Sequence, residues 1–227
     1  MAKLVIAGRL MLGLGCLAVM VGCSKSDEFR PFSVVRQADV WQAVIQDQDR
    51  GRLARLPDAW EQARADIAGA GADAALAALG PVVPAAADTA ELGEQTEPPP
   101  PVQMPVAGNY QCRIIRLGWQ QSTPRTAPPV QASVWSDCRL VAAGPLLQLE
   151  TAPGPQHFFG KLYPDVDRLI FLGSVALGGE MGRLRYGEDN DRDQLGVLDM
   201  VAPGHWRLAL PWPRWGARLV LIELRQD

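Results

Sequence analysis

The sequence predicts a mainly-β protein, an antiparallel up-and-down β-barrel of about eight or nine strands preceded by a small α-helical segment. Three observations carry that expectation. From Ala107 onward, apolar residues alternate in short runs at a period of two. Turn formers separate the runs, among them Pro153-Gly154-Pro155, Tyr163-Pro164-Asp165, Gly178-Gly179, Pro203-Gly204 and Pro211-Trp212-Pro213. No intervening segment is long enough for the helical crossover that parallel strands require, so successive strands should run antiparallel.

The chain opens on an address. Lys3 and Arg9 precede an apolar run from Leu10 to Val21, and Met20-Val21-Gly22-Cys23 closes it. A positive start, a short apolar centre and a lipobox-like end make residues 1–22 a lipoprotein signal peptide, with Cys23 the acylated first residue of the mature chain. Gly15 makes Cys16 a competing site, but it would leave the apolar centre too short. Twelve apolar residues are too few to span a bilayer, which takes about 20. Two or three acyl chains on one cysteine suffice for stable anchoring. Ser24 stands where an aspartate would favour inner-membrane retention. The expected location is therefore the outer membrane, lipid-anchored and facing the periplasm.

Cleavage removes Lys3 and Arg9, which takes the net charge from −3 to −5. A mildly acidic envelope protein has no electrostatic reason to bind nucleic acid. Beyond the anchor only Cys112 and Cys138 remain, and in an oxidising compartment an even pair reads as a disulfide.

Residues 23–38 form a polar tether. Residues 39–80 follow a helical period: Asp39 can cap a first helix bearing Val40, Trp41, Val44 and Ile45, and Asp47 to Arg50 break the apolar pattern. Pro57 then opens a helix with Trp60, Ala63 and Ile67 on one face. Gly69 and Gly71 interrupt it, Ala74 to Leu79 make a last turn or two, and Gly80-Pro81 stops it. These helices are alanine-rich and thinly apolar, so they should pack against the rest of the chain through Trp41 and Trp60. Residues 81–106, with Pro98 to Pro101, read as a semi-rigid linker.

Within the barrel domain, 107–227, the expected strands are 108–119, 131–142, 146–151, 157–163, 168–177, 182–186, 195–201, 205–210 and 218–225. A first hairpin with its tip at Arg125 would set Cys112 opposite Cys138, Arg113 opposite Asp137, Ile115 opposite Trp135 and Tyr110 opposite Leu140. A bonded pair, an ion pair and two apolar pairs from one register support that pairing.

The segments GNYQCRIIRLG, GKLYPDVDRLIFLGSVALG, RYGEDNDRDQLGVLD and HWRLALPWP, with DRGRLARLPDAW upstream, resemble the family known as domain of unknown function 4893, of bacterial envelope proteins. The resemblance covers most of residues 39–225 and brings no activity with it. At the level of fold alone, a glycine-aromatic start, one disulfide and a closed meander are similar to small lipocalin-like barrels and periplasmic metalloprotease inhibitors. Here Tyr110 stands where those barrels carry tryptophan.

Catalytic chemistry is thinly represented. Ser174, in Leu172-Gly173-Ser174, lacks the second glycine of a nucleophile elbow. His157 and His205 lie in strand-like contexts beside Phe158 and Trp206, where a general base and a strand histidine are both open readings. No glycine-rich phosphate loop occurs. Asp189, Asp191 and Asp193 have the spacing of the first calcium-loop ligands, but Gln194 replaces the tight-turn glycine and Met200 the closing glutamate. A polar turn, with Arg192 paired to a neighbouring carboxylate, is expected instead. Trp206 alternates with Leu208 and Leu210 and belongs to the core. Trp212 and Trp215 are the candidate contacts for a ligand or partner, Trp212 being the one expected to be exposed between its prolines.

These readings describe an outer-membrane lipoprotein with a noncatalytic barrel for binding or envelope structure. A small-barrel protease inhibitor and an envelope hydrolase are the other readings. No cofactor is expected. The expected partners are the membrane, through the lipid on Cys23, and an envelope protein or small apolar ligand of unknown identity.

Overall fold

Strand alternation is realised as a closed barrel. The computed structural model describes residues 40–85, 103–120, 123–178, 180 and 184–226. The anchor at Cys23, the tether, Asp39 and most of the expected linker lie outside the described residues. The described residues form one compact unit.

Among the described residues four short helices come first: α1 Trp41–Val44, α2 Asp47–Ala54, α3 Leu56–Gly69 and α4 Asp73–Ala77. The polar stretch from Asp47 therefore starts a helix rather than breaking one. Asp47 and Asp49 in its first turn complement the helix dipole, and Asp49 pairs with Arg52 one turn on at 2.9 Å. Pro57 sits in the first turn of α3, whose Leu56, Ala59, Trp60, Ala63 and Ile67 are buried at helical spacing. A 3-10 turn, Gly80–Val82, follows α4.

Nine strands follow: β1 Gly108–Leu117, β2 Val130–Ala132, β3 Ser136–Ala143, β4 Leu146–Thr151, β5 Gln156–Pro164, β6 Leu169–Leu177, β7 Asp193–Ala202, β8 His205–Pro211 and β9 Leu219–Arg225. From β3 to β9 each strand is antiparallel to the next. β1 bonds to β3 on one side and to β9 on the other, which closes an eight-stranded barrel with β2 as an extra strand on β1.

Two details differ from the sequence reading. The expected strand 131–142 is split, because Ser133 to Trp135 leave the ladder. Ser133 Oγ accepts the Ile114 N–H at 2.9 Å and its own N–H donates to Ile114 O at 2.8 Å, so the side chain stands in for a lost backbone partner. The register is also shifted by two: Tyr110 faces Cys138 and Cys112 faces Ser136, while Arg113 is opposite Glu223 on β9. A two-residue slip keeps every side chain on its own face. The Cys112–Cys138 disulfide therefore still forms, between diagonal neighbours with Cα atoms 5.8 Å apart. The expected strand at 182–186 is absent in its described part, since residues 184–186 are not in the sheet.

The barrel interior is filled. Tyr110, Leu140, Leu149, Phe158, Leu162, Phe171, Leu198, Trp206, Leu208 and Ile222 pack there with the disulfide. Gly160 and Gly173 face each other across β5 and β6. A Cβ on Gly160 would stand 2.6 Å from the Phe171 ring, and one on Gly173 would stand 2.6 Å from the Gly160 Cα. Absence of side chains on this pair is what lets the Phe171 ring fill the centre.

A second core lies outside the barrel wall. Ile170, Leu172, Leu195, Val197, Ala209, Leu219 and Leu221 on the outer faces pack against Leu53, Leu56, Trp60, Ala63 and Ile67, with Trp41 partly buried beside them. β6, β7 and β9 are consequently apolar on both faces. Gly118 (φ +69) lets α3 close on the wall, since a Cβ there would meet Ala63 Cα at 3.0 Å and Arg218 Cγ at 2.8 Å.

Candidate functional site

The helices and the β8–β9 turn bracket an arginine-lined groove on the outer wall, and both tryptophans singled out in the sequence lie at this turn. Arg52 and Arg55 reach it from α2 and the α2–α3 corner; Arg214 and Arg218 come from the turn, with Gln120 and Trp212 between. Three residues along a helix is nearly one turn, so Arg52 and Arg55 point to the same side.

Trp212 is half-buried, and Trp215 is the exposed one at 40%. This reverses the expectation that prolines would hold Trp212 out. Its backbone N–H donates to Arg218 O at 2.9 Å and its indole N–H to Arg55 O at 3.2 Å, which draws the ring down onto the helices. The residue pays with a left-handed backbone, φ +48, the one such non-glycine residue among those described. For a bulky side chain that conformation costs about 1–3 kcal/mol. Arg55 and Arg218 lie 5.6 and 5.9 Å from its ring centroid, and Arg192 lies 5.4 Å from that of Trp215.

Acids hold three of the four arginines. Arg52 pairs with buried Asp49, Arg218 Nε donates to Asp66 Oδ2 at 3.0 Å, and Arg214 reaches Asp191 at 3.1 Å. Asp66 also accepts the Trp119 N–H at 3.0 Å, which ties α3 to the end of β1.

The three spaced aspartates do not converge. Asp189 accepts the Asp191 N–H at 2.9 Å as an Asx turn, Asp191 turns to Arg214, and buried Asp193 accepts the Gly187 N–H at 2.9 Å. Arg192 bonds Glu180, outside the turn. Beside Asp193, the Tyr186 hydroxyl donates to Asp49 Oδ2 at 2.6 Å and accepts the Gln46 N–H at 3.0 Å. Burial, then the neighbouring carboxylate, pushes the Tyr186 phenol far up.

Burial also pushes the Asp193 carboxyl from an ordinary 3.8 up to about 6, with Asp49 and Asp189 adding to the rise and Gly187 N–H and Arg52 opposing it. A raised carboxyl means that the folded state holds a proton which the unfolded chain has released. Stability should therefore fall as pH rises from about 3.8 to about 6, and Asp193→Asn should flatten that slope in urea titrations. An unchanged slope in the variant would show that Asp193 does not titrate in this window.

The remaining sequence candidates sit apart. Ser174 Oγ donates to Leu184 O. His205 Nε2 lies 2.7 Å from Glu223 Oε1, within a cluster around that buried carboxylate that also holds Arg113 and the half-exposed Arg225. His157 lines a separate hollow of about 420 Å³ with Asp137, Arg139 and Glu150. The structure thus pairs neither histidine with Ser174. Composition gave no notice of the arginine groove, although RGRLAR carries two of its lining residues and PWPRW three.

Neither a curated protein nor a solved structure matches the chain. Residues 41–224, which span the described helices and the barrel to within one residue of the end of β9, match the family described as domain of unknown function (DUF4893), and the chain belongs to that family.

Proposed function

We propose that the protein is an outer-membrane lipoprotein, acylated on Cys23 and facing the periplasm, whose barrel is a noncatalytic binding or structural module. The filled barrel carries the second half of that reading. Lipid-carrying barrels need an apolar cavity inside, and here Phe171, Leu140, Leu162, Trp206 and Ile222 occupy the space. That favours recognition on the outer wall over carriage of a small apolar ligand. His205 and Ser174 serving separate structural partners supports the noncatalytic reading over a hydrolase. The anchor rests on the Leu10–Cys23 signal. Labelled fatty acid should enter the wild-type protein and not a Cys23→Ser variant, and the wild type should partition into detergent. Equal labelling of the variant would remove Cys23 as the anchor.

A further inference from the structure

An open groove of about 550 Å³ on the outer wall is lined by Arg52, Arg55, Arg214 and Arg218. Arg52 is largely buried and its Nη1 and Nη2 donate to Asp49, Asp193 O and Pro211 O, so it adds charge while Arg55, Arg214 and Arg218 keep N–H groups for a ligand. No carboxylate stands among its described lining residues. The acids that hold the arginines are not part of that lining: Asp49 is 1% exposed, and Asp66 is largely buried. Arg214 and Asp191 are both more than half exposed, so water weakens their pairing. Arg55 has no acidic partner among the described residues; its Nε donates to Gly51 O at 3.2 Å and its guanidinium lies over Trp212. Cations gathered on one wall repel each other and concentrate anions in the groove between them. The left-handed Trp212 backbone is a second, independent sign. Strain of this kind gathers at ligand clamps.

The arrangement also selects the anion. Arg55 approaches from the helical side, Arg214 and Arg218 from the strand-turn side. A carboxylate accepts only in the plane of its two oxygens, although it can share them among several donors, as Glu223 does with Arg113, Arg225 and His205. A phosphate group presents oxygens in several directions and can take forks from both walls at once. Gln120 adds an amide to the lining, its Nε2 already donating to Pro213 O. We infer that this groove binds a phosphate-bearing anion. Phosphate of this chemistry comes either from a soluble phosphate compound or from the headgroup of an anionic phospholipid. The inference takes the binding half of the proposed function further and is independent of the anchor: failure of fatty-acid labelling leaves it standing, and failure of anion binding leaves Cys23 untouched.

Isothermal titration of the full chain in nonionic detergent tests it, with pyrophosphate as the soluble probe and dihexanoylphosphatidylglycerol as the headgroup probe. Dihexanoylphosphatidylcholine and citrate serve as controls. At least one phosphate probe should bind saturably, more weakly as salt rises, and at least tenfold more weakly in an Arg55→Gln/Arg214→Gln variant of unchanged melting temperature. Preference for pyrophosphate assigns a soluble source, and preference for the phosphatidylglycerol a headgroup. Arg214→Gln alone, at a side chain 60% exposed, keeps the test open if the double variant melts early; it should weaken binding about threefold. Saturable binding by neither phosphate probe below millimolar concentration would overturn the inference. Equal affinity in the folded variant, or citrate binding as tightly as pyrophosphate, would also overturn it.

Discussion

Glu223→Ala should lower stability by about 3–5 kcal/mol, the largest loss expected from any single charged residue among those described. Glu223 is fully buried on the outer face of β9. It is held by Arg113, by His205 at 2.7 Å and by Arg225 at 2.8 Å. Arg113 and Arg225 in turn lie 4.9 and 4.7 Å from the Trp135 ring centroid, and Arg113 donates to Leu79 O at 3.1 Å. One carboxylate thus ties β1, β8 and β9 together where the barrel closes and fastens the end of the helical segment to the wall. Removing it leaves the largely buried Arg113 guanidinium with no counter-charge, and that uncompensated charge is the main cost. Replacing both ends, as Glu223→Leu with Arg113→Met, should recover much of the loss. Urea unfolding measures both; a loss below 1 kcal/mol for Glu223→Ala would show that the closure does not depend on this cluster.

Removing the disulfide, by Cys112→Ser with Cys138→Ser, should lower stability by about 3.5 kcal/mol, from the loop entropy of a 26-residue separation. Both cysteines lie inside the barrel, 1% and 5% exposed, at the β1–β3 contact. That contact is the short one, five pairs against the seven that join β1 to β9. Losing the bond should therefore loosen this seam first, visible as faster amide exchange at residues 136–140 than at 219–225. Equal stability of the double variant and the oxidised protein would mean that the unfolded chain gains nothing when the loop is opened.

The barrel was legible because β3 and the first half of β1 alternate, one face in the core and the other toward solvent; from Ile115 onward the buried residues of β1 are on the outer face, under the helices. Strands β6, β7 and β9 are legible for a different reason. Helices cover their outer faces, so they read as continuous apolar runs. Leu184 and Tyr186 imitate a strand, but Tyr186 is spent on Asp49 and Leu184 O on Ser174, long-range partners that local spacing does not encode. The polar start of α2 hides its helix, because its support comes from Arg52 and Asp49 and from docking on β7. The hairpin register depended on a loop being symmetric, and Ser133 breaks that symmetry. Trp212 was visible as an aromatic between prolines, with Trp215 close behind it. The four arginines around Trp212 were not, since residues 52 and 55 meet 214 and 218 only once the helices fold back on the barrel wall.

In the proposed function recognition sits on the outer wall and the barrel interior is a packed scaffold. Amide hydrogen exchange, measured by mass spectrometry with and without pyrophosphate, separates the two most directly. Protection should rise at residues 50–56 and 211–218, around the arginines and Trp212, while β4, β5 and β6 exchange as before. Protection spread over β4 to β6 with none at the groove would put the ligand inside the barrel and contradict recognition on the outer wall.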